Sequence, residues 1–234
     1  MRNYFTFDNT SCATYGVYIS GSGVFSAPAR AYNLINIPAR NGALVGLDKR
    51  FENIEVTYPA FSYTPAQLEA FRAWLLSHEG YFKLTDTYNP NEYRMAMYTG
   101  PFDPSMTQPL DAGSFDVTFN CKPQRFLTSG DAVQTFTANG TISNPTKFPS
   151  QPLLKVYGKG TVGIGSTTIT ISNADGSYMF IDCEMMDCYY NGISQNNYVS
   201  FSGNDFPVLA TGSNGITLGG SVTKVEITPM WWTV

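Results

Sequence analysis

The sequence predicts a mainly β protein of two domains, the first built around one α-helix and the second a β-sandwich. Three observations predict it. The chain carries 21 Gly and 14 Pro, and its aromatic residues are mostly 16 Phe and 15 Tyr, a composition suited to short strands and tight turns. One segment alone, after Thr64, joins helix-capping residues to an apolar rhythm of three and four. Finally, 234 residues of which 43% are apolar suffice for two cores, since domains most often hold ~100–150 residues.

In chain order, Phe5–Phe7, 16–20, 32–38 and 52–58 read as short strands bounded by turn residues. Thr64 then offers an N-cap oxygen, Pro65 sits where a missing N–H costs nothing, and Gln67 is placed to close a capping box. Leu68, Phe71, Trp74 and Leu75 form one apolar stripe, Gln67, Glu69 and Arg72 lie opposite, and Gly80 is placed to terminate the helix. His78 reads as a structural histidine near the helix end. Residues 81–86 and 93–98 pair across Asn89-Pro90-Asn91. In 115–122 apolar Phe115, Val117, Phe119 and Cys121 alternate with polar residues, the period of a half-buried strand, which assigns Cys121 to the core.

Over 130–152 the periodicity gives way to Gly, Ser, Thr, Asn and Pro. The expected division is therefore a first domain over 1–135, a linker over about 136–149 and a second domain over 150–234. In the second, Leu153–Tyr157, Thr167–Ile171, 178–183, 198–201 and 221–228 read as strands, with Asp175-Gly176 and Asn214-Gly215 as hairpin turns.

Eighteen acidic against fourteen basic groups leave a net charge of −4, so no basic stripe points to stable nucleic-acid binding. No apolar h-region forms in residues 1–23 and no later window approaches ~20 apolar residues, so a soluble protein folded in a reducing cytoplasm is expected, with no membrane partner. On that reading the sequons Asn9-Thr10-Ser11 and Asn139-Gly140-Thr141 are turns, and Cys12, Cys121, Cys183 and Cys188 are free thiols. One histidine cannot complete a four-ligand zinc site without awkward carboxylate help.

The search for chemistry is similarly spare. His78 has no Gly-x-Ser-x-Gly elbow to serve. Gly158, Gly160, Gly163 and Gly165 lack the Lys and Ser/Thr of a phosphate loop and read as turns between strands. Asp182, Glu184 and Asp187 are the acidic group that a glycosidase reading would need, but a polar outer face accounts for them. Tyr189, Tyr190 and Trp232 are candidates for stacking on sugar rings, while Trp231 and Trp232 also suit anchoring of the last strand.

Taken in order, these pieces resemble the distal tail protein (Dit) family of long-tailed phages. The resemblance rests on Ile37-Pro38-Ala39-Arg40-Asn41-Gly42, Phe71-Arg72-Ala73-Trp74-Leu75-Leu76, Gly80-Tyr81-Phe82-Lys83-Leu84, Tyr93-Arg94 and Phe119-Asn120-Cys121-Lys122-Pro123-Gln124-Arg125-Phe126. It continues through Phe206-Pro207-Val208-Leu209, Gly212-Ser213-Asn214-Gly215-Ile216, Gly219 and Val225-Glu226-Ile227-Thr228-Pro229 to Trp231-Trp232. Two positions depart from the pattern: Ala39 stands where glycine is expected, and Met230 where arginine is expected.

The resemblance implies an N-terminal β-sandwich or barrel-like domain with one α-helix, and a C-terminal galectin-like β-sandwich akin to carbohydrate-binding modules. It further implies a structural component of the virion, assembled in the host cytoplasm and placed at the tail tip. There a homo-hexameric ring joins the tail tube protein to a tail-associated lysin-like tip protein and offers its rim to receptor-binding proteins. DNA only passes through the channel, where a scarcity of Lys and Arg clusters keeps it from sticking. No catalytic, cofactor-binding or metal-ligating residue is expected. Arg40, Asn41 and Gly42 are the candidates for the ring interface. The alternative function is a carbohydrate-binding protein that contacts host-surface glycans through Tyr189, Tyr190 and Trp232 of its C-terminal domain.

Overall fold

The computed structural model describes every residue except Met1, Ser22, Val24, Phe25, 108–111, Asp175 and Asn204; within strands, the side chains of 47–49, 106, 107 and 112 are also left out. The turn expected at Asp175-Gly176 thus lies partly outside the described residues. The chain forms two compact units, Met1–Arg125 together with Val234, and Phe126–Thr233.

In the first unit, Ala112–Cys121 is the central strand, and its alternation is the one read from sequence: Phe115, Val117, Phe119 and Cys121 are buried. It pairs antiparallel with Ile54–Ser62 over nine residues on one side and with Glu92–Tyr98 on the other. Across the sheet the order is Thr10–Ser11, Phe5–Phe7, Phe82–Asp86, Glu92–Tyr98, Ala112–Cys121, Ile54–Ser62 and Val17–Ile19, with Ser105–Thr107 added beside Ala112–Cys121. The Ile19 N–H donates to Asn3 O at 2.9 Å, so the last strand in this order meets the chain just before Phe5–Phe7. The sheet therefore curls back on itself, as closure demands of a sheet without a second layer.

Helix α1 (Pro65–Leu76) plugs the concave side. Thr64 Oγ1 accepts the Gln67 N–H at 3.3 Å, a cap that contributes ~1 kcal/mol, and Leu68, Phe71 and Leu75 are buried. The reciprocal half of the capping box is not made. The Gln67 amide instead lies over Gly16, at whose α-carbon a Cβ would come within 2.4 Å of it, and Gln67 Oε1 is buried without a hydrogen bond. The helix also ends sooner than the position of Gly80 suggests: Ser77 caps it through its N–H to Ala73 O at 3.2 Å. Phe5 and Phe7 meet Phe119 with ring centroids 5.3 and 5.0 Å apart, and Phe71 closes the cluster from the helix at 6.3 Å from Phe5. His78 is structural, with Nδ1 2.8 Å from Trp74 O and its ring among Phe7, Trp74 and Phe82.

The second unit is a sandwich of two antiparallel sheets. One runs Gln134–Phe136, Lys224–Thr228, Leu153–Tyr157, Met179–Asp182, Asp187–Tyr190 and Ile193–Ser194; the other runs Gly140–Asn144, Gly212–Gly220, Gly160–Ile164, Thr167–Ile171 and Val199–Phe201. Leu154, Val156, Ile181, Val225 and Ile227 from the first interdigitate with Ile142, Val162, Ile164, Ile169 and Ile216 from the second, all fully or almost fully buried. The Leu127 N–H donates to Trp231 O at 2.8 Å and the Met230 N–H to Gly130 O at 3.0 Å, so the beginning and end of this unit lie side by side.

Two expectations are corrected here. Residues 136–149 are not a linker: they supply the edge strand Gly140–Asn144 and the end of Gln134–Phe136, because Ile142 and Asn144 alternate into the core while Thr141 and Ser143 face out, and these strands pair with Gly212–Gly220 and Lys224–Thr228. The boundary falls near Arg125, within the motif itself, where no glycine or proline cluster marks it. Nor is Asn214-Gly215 a hairpin turn. It lies inside a nine-residue strand, and buried Asn214 accepts the Ala210 N–H at 2.8 Å while donating to Ala210 O and Gly212 O.

Candidate functional site

Two surfaces carry residues singled out in the sequence. The first is a two-stranded ribbon, Arg30–Asn36 paired antiparallel with Ala43–Phe51, which shares no ladder with any other described strand. Leu34 opposes Val45 on one face and Ile35 opposes Leu44 on the other. With Tyr32, these side chains are 46 to 63% exposed, so both faces of the ribbon present apolar groups to solvent. An isolated two-stranded ribbon is marginal in water, and apolar residues gathered on both of its faces mark a surface that is covered in use.

Arg40, Asn41 and Gly42 form the exposed tip of this ribbon, where the Arg40 N–H donates to Ile37 O at 3.2 Å. Gly42 has φ +81° and Ala39 has φ +63°. The glycine expected at position 39 thus has a physical reason, since the left-handed region costs an alanine ~1 kcal/mol or more. Met230, the other departure, also stands at positive φ, +56°.

The motif residue Arg94 belongs to a buried polar group within the first unit. Glu92 and Arg125 make a two-pronged ion pair at 2.8 and 2.9 Å, and Asp86 accepts from the Tyr58 hydroxyl and from the N–H groups of Tyr88 and Asn89. Arg94 reaches Pro123 O at 3.4 Å, its Nη2 has no protein partner, and burial pushes its pKa down. This cluster ties strand ends together.

The second surface is the outer face of the six-stranded sheet in the second unit. The register sets Glu226, Lys155, Phe180, Tyr189 and Ser194 in one row, one residue per strand. Phe180 and Tyr189 lie 5.4 Å apart with planes inclined by 24°. Lys155 Nζ sits 4.1 Å from the Tyr178 ring and 5.4 Å from that of Phe180, and Lys224 Nζ lies 4.0 Å from the Tyr157 ring while pairing with Glu226 at 2.6 Å. Hydrogen bonding to Lys224 holds the Glu226 carboxyl below its usual pKa. Of the sequence candidates, Tyr189 lies in this row. Tyr190 touches it through Tyr178, edge-on at 5.1 Å, and covers Gly176. Trp232 does not join them: it stacks on Phe148 at 4.6 Å and donates to Pro149 O at 2.9 Å.

The acidic residues beside this face hold turns. Asp182 Oδ1 accepts the N–H groups of Glu184 and Met185 at 3.0 and 2.9 Å, and Asp187 Oδ1 accepts from Ser194 and Asn196. Gly158 and Gly160, at φ +98° and +136°, let the chain pass Ser221 and Gly219 so closely that a Cβ would lie 2.2 and 2.3 Å from their carbonyl oxygens. Gly158 and Gly165 have the turn role read from sequence, whereas Gly160 and Gly163 do not: they lie in the strand Gly160–Ile164, paired on both sides.

All four cysteines are free and buried. Burial lifts the thiols of Cys12, Cys121 and Cys188 to about 12, and raises Cys183 for the same reason. A thiol pKa raised above its ordinary 9.0 leaves this contribution to stability intact below that pH and removes it as the pH climbs from there toward the folded value. The expected result is that iodoacetamide labels none of the four at about pH 8 until the chain is unfolded, and that the melting temperature falls progressively above about pH 9. Rapid labelling of the folded chain would show these thiols to be accessible.

Residues 10–121 match the family model of the phage tail protein RIFT-related domain. No curated protein matches the chain. Among solved structures, the Dit protein of phage SPP1, described as a paradigm of the hub adsorption apparatus in phages infecting Gram-positive bacteria, is similar over 100% of both chains with a TM-score of 0.74 and 11% identity. A chain of the phage p2 baseplate, in its activated conformation with Sr, is similar over 96% of both with a TM-score of 0.52 and 11% identity. Identity this low speaks for fold, and the family match speaks for the first unit. Residues 10–121 are thus similar to the phage tail protein RIFT-related domain, and the chain over its whole length has the fold of the SPP1 Dit protein.

Proposed function

We propose that the chain is the hub subunit of a siphophage tail tip: six copies close a ring through which DNA leaves, between the tail tube and the tip protein. The observation that carries this reading is the ribbon of Arg30–Asn36 and Ala43–Phe51, with apolar side chains bare on both faces and Arg40, Asn41 and Gly42 at its tip. A closed ring requires two different patches to meet on neighbouring subunits, and a projecting ribbon laid on the next copy supplies one of them. Each such contact should bury roughly 1,600 Å². The net charge of −4 suits a lumen that duplex DNA passes without binding.

On this reading the protein acts by geometry and makes or breaks no bond. Its partners are a second copy on either side, the tail tube protein above, a tail-associated lysin-like protein below and receptor-binding proteins at the rim; assembly takes place in the host cytoplasm. Native mass spectrometry is expected to give a species of six times the 25.7 kDa chain, and negative-stain images an annulus. Monomers or closed dimers alone, across the concentration range, would contradict it.

A further inference from the structure

Asparagine is followed by glycine at four places, Asn41-Gly42, Asn139-Gly140, Asn191-Gly192 and Asn214-Gly215. A glycine nitrogen has no side chain beside it, so it is the backbone amide least hindered from closing on the carboxamide carbon of the preceding asparagine. Closure needs a carboxamide free to turn, a glycine N–H without an acceptor, and a backbone between them that can rotate. The fold withholds these conditions from three of the pairs. Asn214 is buried, accepts the Ala210 N–H at 2.8 Å and donates to Ala210 O and Gly212 O, all inside the strand Gly212–Gly220. Asn139 is exposed, but its Oδ1 accepts the Leu218 N–H at 2.9 Å, and Gly140 is paired with Ile216. Asn191 is exposed too, yet it and Gly192 form the whole turn between paired Tyr190 and Ile193, which fixes them at φ +47° and +76°.

Asn41 meets all three conditions. It is exposed at the ribbon tip, and among the described residues no hydrogen bond holds its carboxamide or the Gly42 N–H. A side chain added at Gly42 would meet nothing within 4 Å, so the space for closure is open. The strands of the ribbon end at Asn36 and resume at Ala43, and the turn between them is closed further back, by the Arg40 N–H on Ile37 O. Rotation about the Asn41 backbone therefore breaks no ladder.

We infer that Asn41-Gly42 is a self-modifying site of the free subunit. The Gly42 nitrogen bonds to Asn41 Cγ, the Cγ–Nδ2 bond breaks, and the Gly42 proton leaves with ammonia, giving a five-membered imide. Water then opens either imide bond and leaves aspartate or, with the chain rerouted through the side chain, isoaspartate. The product sets a carboxylate beside Arg40, so the tip loses its net positive charge. As isoaspartate it also lengthens the backbone by one carbon where the two strands are joined, which strains the register of Asn36 with Ala43. This chemistry belongs to the single chain and does not depend on ring closure. On the hub reading, a tip laid against a neighbour is shielded, so only unassembled subunits are marked.

The test is peptide mapping by mass spectrometry after ageing in warm neutral buffer, on the wild type and on the chain carrying Leu34→Glu with Val45→Glu. Native mass spectrometry reports the assembly state of each sample. In single chains Asn41 is expected to convert first. Asn214, held by three hydrogen bonds, should convert about a hundredfold more slowly, with Asn139 and Asn191 between them. In concentrated urea the four rates should converge, because the fold no longer separates them. Asn41→Gln, whose longer side chain must close a larger ring, should abolish conversion at the tip without shifting the melting temperature. Asn41 converting no faster than Asn214 in single chains, or the same spread of rates persisting in urea, would each overturn the inference. Slow conversion in rings beside fast conversion in single chains supports the shielding. Absence of rings with Asn41 still converting first would count against the hub reading and for this site, so the two failures are distinguishable.

Discussion

Replacing Leu34 and Val45 together by glutamate is expected to convert the proposed six-fold assembly into single chains while leaving the thermal unfolding of the first unit where it was. The pair faces solvent within one subunit, so its removal takes nothing from that subunit's core. In the ring the same two side chains would be covered by a neighbour. Burying one Leu or Val stabilises by ~1.5–3 kcal/mol, so losing two removes roughly 3–6 kcal/mol from each contact, or about two to four decades of affinity. An unpaired carboxylate in a dry interface adds to the loss. Light scattering at matched concentrations checks the result. The companion variant, Ile35 and Leu44 to glutamate, reports whether the opposite ribbon face is covered too. Rings that survive both double substitutions would remove the ribbon from the assembly.

Phe71→Ala has the largest expected effect on folding. The ring is fully buried and lies within 6.3 Å of the rings of Phe5, Tyr15, Trp74, Phe102 and Phe115, so truncation empties the junction between helix and curled sheet. Changes of this kind cost ~3–5 kcal/mol. Because the two units have separate cores, calorimetry should resolve two transitions, and Phe71→Ala should lower one of them by roughly 10 °C or more. Ile164→Ala, in the other core, should move only the other. A single transition that shifts with either variant would show the two units to be one cooperative body.

Those elements whose own residues decide them were legible in the sequence. Thr64 and Pro65 announce helix α1, and the alternation of Phe115 to Cys121 announces the central strand, because cap and period are local properties. The second half of the ribbon was not: Leu44 and Val45 are consecutive apolar residues with no alternation, since neither face of the ribbon is a core. Strands such as Gly160–Ile164 and Gly212–Gly220 were hidden for a related reason. Their glycines and threonines allow close passage of neighbouring backbone, which propensity counts as turn. At the outer sheet face, Tyr189 could be singled out as an aromatic beside acidic residues. Its neighbours Lys155, Tyr157 and Phe180 come from other strands, and only the register assembles them. The departure at Ala39 marks a position where the backbone sets the preference for glycine, whereas nothing in the structure explains the arginine expected at Met230.

The pairing of Leu127 with Trp231, and of Gly130 with Met230, gives the sandwich a property that concerns heredity more than stability. A module whose two ends meet can be cut out at one place and another grafted there, without rethreading the framework that receives it. Tails facing new hosts could thus acquire a different second module by recombination, keeping the curled sheet, its helix and its ribbon unchanged. Recombinants of that kind should be sought with their crossover near Arg125.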